Sequence, residues 1–146
     1  AIPRIMEHAE YGHYLNERVR HYEKLSNIAY DILRDVPCLI VNRTNGAFYM
    51  TAVFNEAVLN NRQTLPIEHD DIRQFIEKLV HDRIEPDKRF VYYLLGATGI
   101  CVVPLTSFFT ALPGFRMTLL DKDEKEFEQV VRTIAESVTR YINSAT

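Results

Sequence analysis

The sequence predicts an α+β domain: a small, mostly antiparallel sheet with helices covering one face. Three observations predict it. Stretches at both ends keep apolar residues at spacings of three, four and seven. Short strand-like runs fill the middle, and Asn45-Gly46 is a turn signal of the kind that joins two of them. The 146 residues, without internal repeat, low-complexity tract or linker, make a single domain spanning 1–146.

A first helix is expected over about 7–35. Leu15, Val19, Tyr22, Ala29, Ile32 and Leu33 line up between charges there, and Pro37 ends it. Its length suits a helix that links two bodies. In the following CLIVNRTNGAFYMTAVF, residues 47–54 are a strand with Phe48, Met50, Ala52 and Phe54 on one face. NEAVLNNRQTLPIEH, with its Asn and Gln and with Pro66, predicts a long irregular surface loop.

A second helix should cover 70–82, with Ile72, Phe75, Ile76, Leu79 and Val80 as its apolar stripe. Asp70 and Asp71 at its start and Lys78, His81 and Arg83 at its end suit the helix dipole. Pro86 opens a third helix striped by Phe90, Val91, Leu94 and Leu95, which Gly96 or Gly99 ends. The apolar run 100–103 predicts a buried strand, and 115–120 a second one. Asp121 or Asp123 caps a last helix, where Phe127, Val130, Val131, Ile134, Ala135, Val138, Tyr141 and Ile142 keep helical spacing.

Composition narrows the function classes. Hydrophobic residues at 47% and charged residues at 25% are ordinary for a globular domain, and eight Tyr with eight Phe can supply its core. A net charge of -3 and no Lys/Arg-rich tract leave no electrostatic footprint for nucleic acid. No apolar run is long enough to span a membrane, and the first residues turn polar too early for a signal peptide. Cys38 and Cys101 each sit in an apolar run, which predicts buried free thiols and fits a reducing, cytoplasmic setting.

One residue stands out chemically. Arg116 interrupts an apolar strand, and alternation sends it to the face opposite Phe115, Met117 and Leu119. A guanidinium held on a strand can clamp a carboxylate through two parallel charge-assisted hydrogen bonds. It can equally pair with a structural Asp or Glu, and the residues alone leave both open. His8, His13 and His21 lack metal-site spacing, and His69 reads as cap chemistry. Thr106 and Ser107 have no His or Asp attached by a motif. Asp121, Asp123, Glu124 and Glu126 suit a helix start. The five lysines (Lys24, Lys78, Lys88, Lys122, Lys125) fall on charged helical faces or helix starts, and no glycine-rich phosphate loop is present. No catalytic set, cofactor site or metal site emerges from these residues.

The run GICVVPLTSF, a short loop, GFRMTLL and an acidic start to a final amphipathic helix together resemble the C-terminal end of class I PLP-dependent aminotransferases, the alanine-aminotransferase-like members in particular. Their corresponding stretch is a Gly-Ile-x-Val-x-Pro run, a Gly/Ser loop and a Phe-Arg-x-Thr run. NGAFYMTAVF is similar to that family's Gly-Ala-Phe-Tyr strand, and FVYYLLGATGI to its helix with paired leucines. The resemblance covers roughly 45–143.

It implies the small domain of a fold type I enzyme, present as a C-terminal fragment. Residues 1–36 would be the interdomain helix and 37–146 the small-domain sheet and helices. Arg116, carried over on the Phe-Arg motif, would hold the substrate α-carboxylate of an amino acid or 2-oxo acid. The parent would be an aminotransferase of amino acid metabolism and a homodimer. Its large domain, outside this chain, would bind PLP, so the fragment alone would be inactive and bind none. Leu105 and Phe109 stand where many relatives have Gly, which would narrow the pocket. The competing expectation is a free-standing α+β ligand-binding or protein-interaction module in which Arg116 is structural.

Overall fold

The computed structural model describes residues 2–81 and 84–145. A short helix α1 (Ile2–Met6) precedes the long α2 (Tyr11–Leu33). Strands β1 (Leu39–Val41) and β2 (Tyr49–Phe54) follow, then helices α3 (Asp70–Leu79) and α4 (Pro86–Thr98). A two-residue strand β3 (Val103–Pro104), a 3-10 turn over Leu105–Phe108, β4 (Gly114–Thr118) and the long α5 (Glu124–Asn143) complete the order.

The four strands form one antiparallel sheet in the order β1-β2-β4-β3. β2 and β4 are therefore central, and Met50, Ala52, Phe54, Phe115 and Met117 all face inward. Helices α2, α4 and α5 close over that face. Phe90 of α4 meets Phe54 and Phe115 of the sheet on one side and Tyr141 of α5 on the other, with Phe90 and Tyr141 centroids 5.2 Å apart at 69°. Edge-to-face contact of this kind adds to the area each ring removes from water. The domain is thus α+β with an antiparallel sheet covered by helices, as the alternating and helical patterns imply.

Local chemistry explains the boundaries. Asp123 caps α5 by accepting hydrogen bonds from the Lys125 and Glu126 amides, while Asp121 accepts from the Asp123 amide. Pro86 begins α4, and Gly99 ends it in the left-handed conformation at φ 74°. Gly96 serves packing instead: a Cβ there would come within 2.8 Å of Ile67 and Ile76.

Several expectations need correction. α2 starts at Tyr11 rather than near residue 7, and Leu15 and Val19 of its stripe are exposed; Leu25, Ala29 and Leu33 in its later turns are buried instead. The β1–β2 connection is wider than a tight Asn-Gly turn, and Ala47, not Gly46, takes the positive φ. Phe48 lies before β2 and is exposed, so only Met50, Ala52 and Phe54 share the inner face. The stripe of α3 is mostly outside: Ile76 and Val80 are buried, but Phe75 is 61% exposed and Ile72 and Leu79 are exposed with it. Asp82 and Arg83, placed at that helix's end, lie outside the described residues.

The 55–69 segment is irregular but no surface loop. Extended backbone turns every second side chain inward, burying Gln63, Leu65 and Ile67. Gln63 accepts from the Asn60 amide and donates to the Val58 carbonyl. The same alternation corrects the 100–103 run. It is an edge, with Val102 inward, Cys101 and Val103 outward, and only Val103–Pro104 paired as a strand. Cys101 is therefore exposed and Cys38 half-buried, not two buried thiols; burial still raises the Cys38 thiol above its ordinary pKa. His69 holds the N-cap position of α3 without a side-chain capping bond. Among the described residues no helix is long and apolar enough to cross a membrane.

Candidate functional site

β4 is a central strand because its inner residues are large and apolar, and this carries Arg116 to the middle of the sheet. The arginine stands opposite Thr51 of β2 and Val103 of β3. Phe115 and Met117 point into the core, so Arg116 leaves on the face that α2, α4 and α5 do not cover. That face carries Tyr49, Thr51 and Thr118, all exposed.

Two aromatic rings receive the guanidinium. Its Cζ lies 4.6 Å from the Tyr49 ring centroid and 4.0 Å from that of Phe108. Tyr49 continues to Phe48 at 4.3 Å and on to Tyr22 of α2 at 6.5 Å, so the arginine ends a line of rings. Among the described residues its guanidinium makes no ion pair and no hydrogen bond. Stacking engages the π faces of the cation and leaves its in-plane N–H groups free. It also restricts the side chain, so less entropy is lost when those donors are used.

The segment that brings Phe108 to this place is anchored underneath by Asp87, in the first turn of α4. Its side chain is fully buried. Oδ1 accepts from the Thr106 hydroxyl at 2.7 Å and from the Lys88 amide at 2.8 Å. Oδ2 accepts from the Thr106 amide at 3.0 Å and the Gly114 amide at 3.3 Å. Gly114 is itself required by close packing: a Cβ would collide with the Ala52 carbonyl oxygen and come within 2.7 Å of Leu105. Sequence analysis did not single out Asp87. No motif marks it, and the only signal is a Pro-Asp pair opening a helix.

The other candidates are accounted for locally. Thr106 spends its hydroxyl on Asp87, and Ser107 is exposed. His8 accepts from the Glu10 amide, His13 pairs with Glu17, and His21 is half-buried with Nε2 2.7 Å from the Asp121 carbonyl oxygen. No group of three or more metal-ligating side chains gathers among the described residues.

Nor do the described residues suit PLP. A Schiff-base lysine needs burial and a depressed pKa. Lys78, Lys122 and Lys125 are exposed, and Lys24 is exposed and paired with Glu124. Lys88 hydrogen-bonds Glu85, which raises its pKa, the opposite of what is needed. Asp87, the one fully buried carboxylate here, has all four bonds taken by the chain itself and could not serve a pyridine nitrogen.

No protein-family model matches the chain. Over 144 residues, 99% of its length, it is 49% identical to an uncharacterized aminotransferase of Methanocaldococcus jannaschii, of which it covers 33%. Among solved structures, an aspartate aminotransferase from Rhizobium meliloti matches 87% of this chain with a TM-score of 0.64 and 24% identity, and 27% of that enzyme is covered. An aminotransferase from Escherichia coli matches 82% of the chain with a TM-score of 0.55 and 21% identity, 24% of it covered. The chain thus spans about a third or less of each of these three proteins. At these identities the structural likeness concerns the fold, which resembles the small domain of fold type I PLP enzymes.

Proposed function

We propose that this chain, a fold type I aminotransferase-like domain matching one part of larger aminotransferases, supplies the substrate-carboxylate site of a PLP-dependent aminotransferase. The observation that carries this reading is the Arg116 guanidinium, without an ion pair or hydrogen bond among the described residues and set against Tyr49 and Phe108 in mid-sheet.

The α-carboxylate of an amino acid or a 2-oxo acid accepts two parallel N–H bonds from the in-plane edge of Arg116. Tyr49 and Phe108 exclude water from the faces of the cation, so the pair forms in a less polar setting than an exposed arginine offers. Fixing the carboxylate at one end fixes the direction of the bonds at the α carbon, which is what an amino-group exchange needs from a positioning site. The cofactor is held by residues outside this chain, since the ones described here do not suit it. The chain alone is accordingly without transaminase activity. The exposed apolar residues of α2 and α3 (Tyr14, Leu15, Val19, Ile72, Phe75) then meet the remainder of the enzyme or a second subunit.

An amino-donor screen on the complete protein, with Arg116→Lys in parallel, tests this. Transamination that depends on Arg116 supports the reading. A complete protein that transaminates equally well with Lys at that position would overturn it. A second test uses the 146-residue chain alone: adding PLP should give no borohydride-fixable adduct on a specific lysine.

A further inference from the structure

The arginine is kept in place by something, and the contacts around it trace back to one buried group. Arg116 lies two residues after Gly114, whose amide donates to Asp87 Oδ2. Phe108 lies two residues after Thr106, whose amide and hydroxyl both donate to Asp87. The same carboxylate thus ties down the strand that carries the guanidinium and the turn that carries the ring stacked on it. It does so from the rigid first turn of α4, where the Lys88 amide completes its four bonds and the helix dipole favours a negative charge.

We propose that Asp87 is a positioning residue for the Arg116 carboxylate site, acting through Thr106 and the 105–108 turn to hold the Phe108 ring against the guanidinium. The proposal rests on the reading of Arg116 as the carboxylate ligand. Burial makes the arrangement all-or-none. A fully buried carboxylate whose oxygens take four hydrogen bonds has no water to replace a lost donor. When the Thr106 bonds are weakened, the turn is free to swing, and Phe108 leaves the guanidinium while the central β2–β4 pairing remains. The arginine then retains its charge, its place on the strand and the Tyr49 ring, but loses the second ring that orients its donors.

Two measurements decide it. In the 146-residue chain, the rings of Tyr49 and Phe108 should displace the Arg116 Nε–H resonance, and Phe108→Ala marks the position without the second ring. Asp87→Asn, which keeps the size but offers two donors where acceptors are needed, should move the resonance to that position. Thr106→Val should move it in the same direction, whereas Thr106→Ser, which keeps the hydroxyl, should leave it in place. In the complete protein, Thr106→Val should raise KM for both amino acid and 2-oxo acid about tenfold with kcat held within about twofold. That change should vanish in a Phe108→Ala background.

Should Asp87→Asn fail to fold, the two Thr106 variants carry the test. An Arg116 resonance unmoved by Thr106→Val, or a KM effect that adds in full to that of Phe108→Ala, overturns the proposal. If Arg116→Lys itself leaves KM unchanged, the carboxylate reading falls, and the resonance still reports whether Asp87 positions the arginine.

Discussion

Arg89 and Arg116 both rest a guanidinium against aromatic rings, and the two surroundings differ in what remains of the cation's donors. Arg89, on α4, lies 5.1 Å from the Tyr93 ring and gives Nε to the Gln63 carbonyl and Nη1 to the Val80 carbonyl. Its charge and its fork are spent on joining the 55–69 segment and the end of α3 to α4. Arg116 has the rings but, among the described residues, no acceptor. A stacked arginine is therefore no sign of a binding site by itself. The sign is an arginine that is set against rings and whose donors have no acceptor among the described residues.

The largest expected effect breaks the Arg116 side. Arg116→Lys keeps the charge but loses the planar fork, and kcat/KM of the complete protein should fall by on the order of a hundredfold, equivalent to about 3 kcal/mol. Urea unfolding of the same variant should change by no more than about 1 kcal/mol, since only ring contacts are lost. A large loss of stability without a loss of kcat/KM would make Arg116 a second Arg89.

The converse variant is Arg89→Met. It strips the charge-assisted donors from the Gln63 and Val80 carbonyls and should cost about 2–3 kcal/mol in unfolding free energy. KM of the complete protein should not move. Equilibrium denaturation and steady-state kinetics on one preparation separate the two arginines.

How much of this contrast could be read beforehand follows the geometry of each element. The stripe of α5 was legible because the helix packs along its length: Phe127, Val131, Ile134, Val138 and Tyr141 are buried, and Val130, Ala135 and Ile142 at the margins of the stripe are half-buried. The face on which Arg116 stands was legible because β4 is central, so alternation maps directly onto inside and outside. Edges defeat the same rule. Ile72, Phe75 and Leu79 keep perfect helical spacing on α3, yet this helix touches the domain by one side only, and Cys101 lies at the sheet's edge, just before β3. Asp87 was illegible for a different reason. Its partners at Thr106 and Gly114 are 19 and 27 residues away, and periodicity reports local pattern, not the long-range closure of a hydrogen-bond set.

Alkaline pH sharpens the Arg89 side further. Tyr141 is buried with no hydrogen-bond partner for its hydroxyl among the described residues. Burial pushes its pKa well above the ordinary tyrosine value, and the positive charge of Arg89 offsets only part of that shift. The native state therefore keeps a proton that the unfolded chain releases above about pH 10. Stability is intact below that pH and falls as pH rises toward the native pKa, by about 1.4 kcal/mol per pH unit for one proton. Tyr141→Phe should remove Tyr141's share of that fall while changing stability at pH 7 by less than about 1 kcal/mol. An alkaline transition as steep in Tyr141→Phe as in the parent would place its origin elsewhere.

The smallest effect bears on why the two arginines are held so differently. Arg89 is carried by regular helix. The rings on Arg116 are carried by backbone under strain, since Ala47 and Phe109, both at positive φ, lie next to the Phe48-Tyr49 pair and to the Leu105–Phe108 turn respectively. Phe109 at φ 58° gains nothing from burial, because its ring is fully exposed. Phe109→Gly should therefore raise stability by up to about 1 kcal/mol, the left-handed strain relieved being partly offset by the greater freedom of glycine in the unfolded chain. Phe109→Ala, which keeps the strain and loses the ring, should leave stability within about 0.5 kcal/mol of the parent. A Phe109→Gly variant no more stable than Phe109→Ala would mean that the turn is unstrained, and that the ring stacked on Arg116 is held by the Asp87 bonds alone.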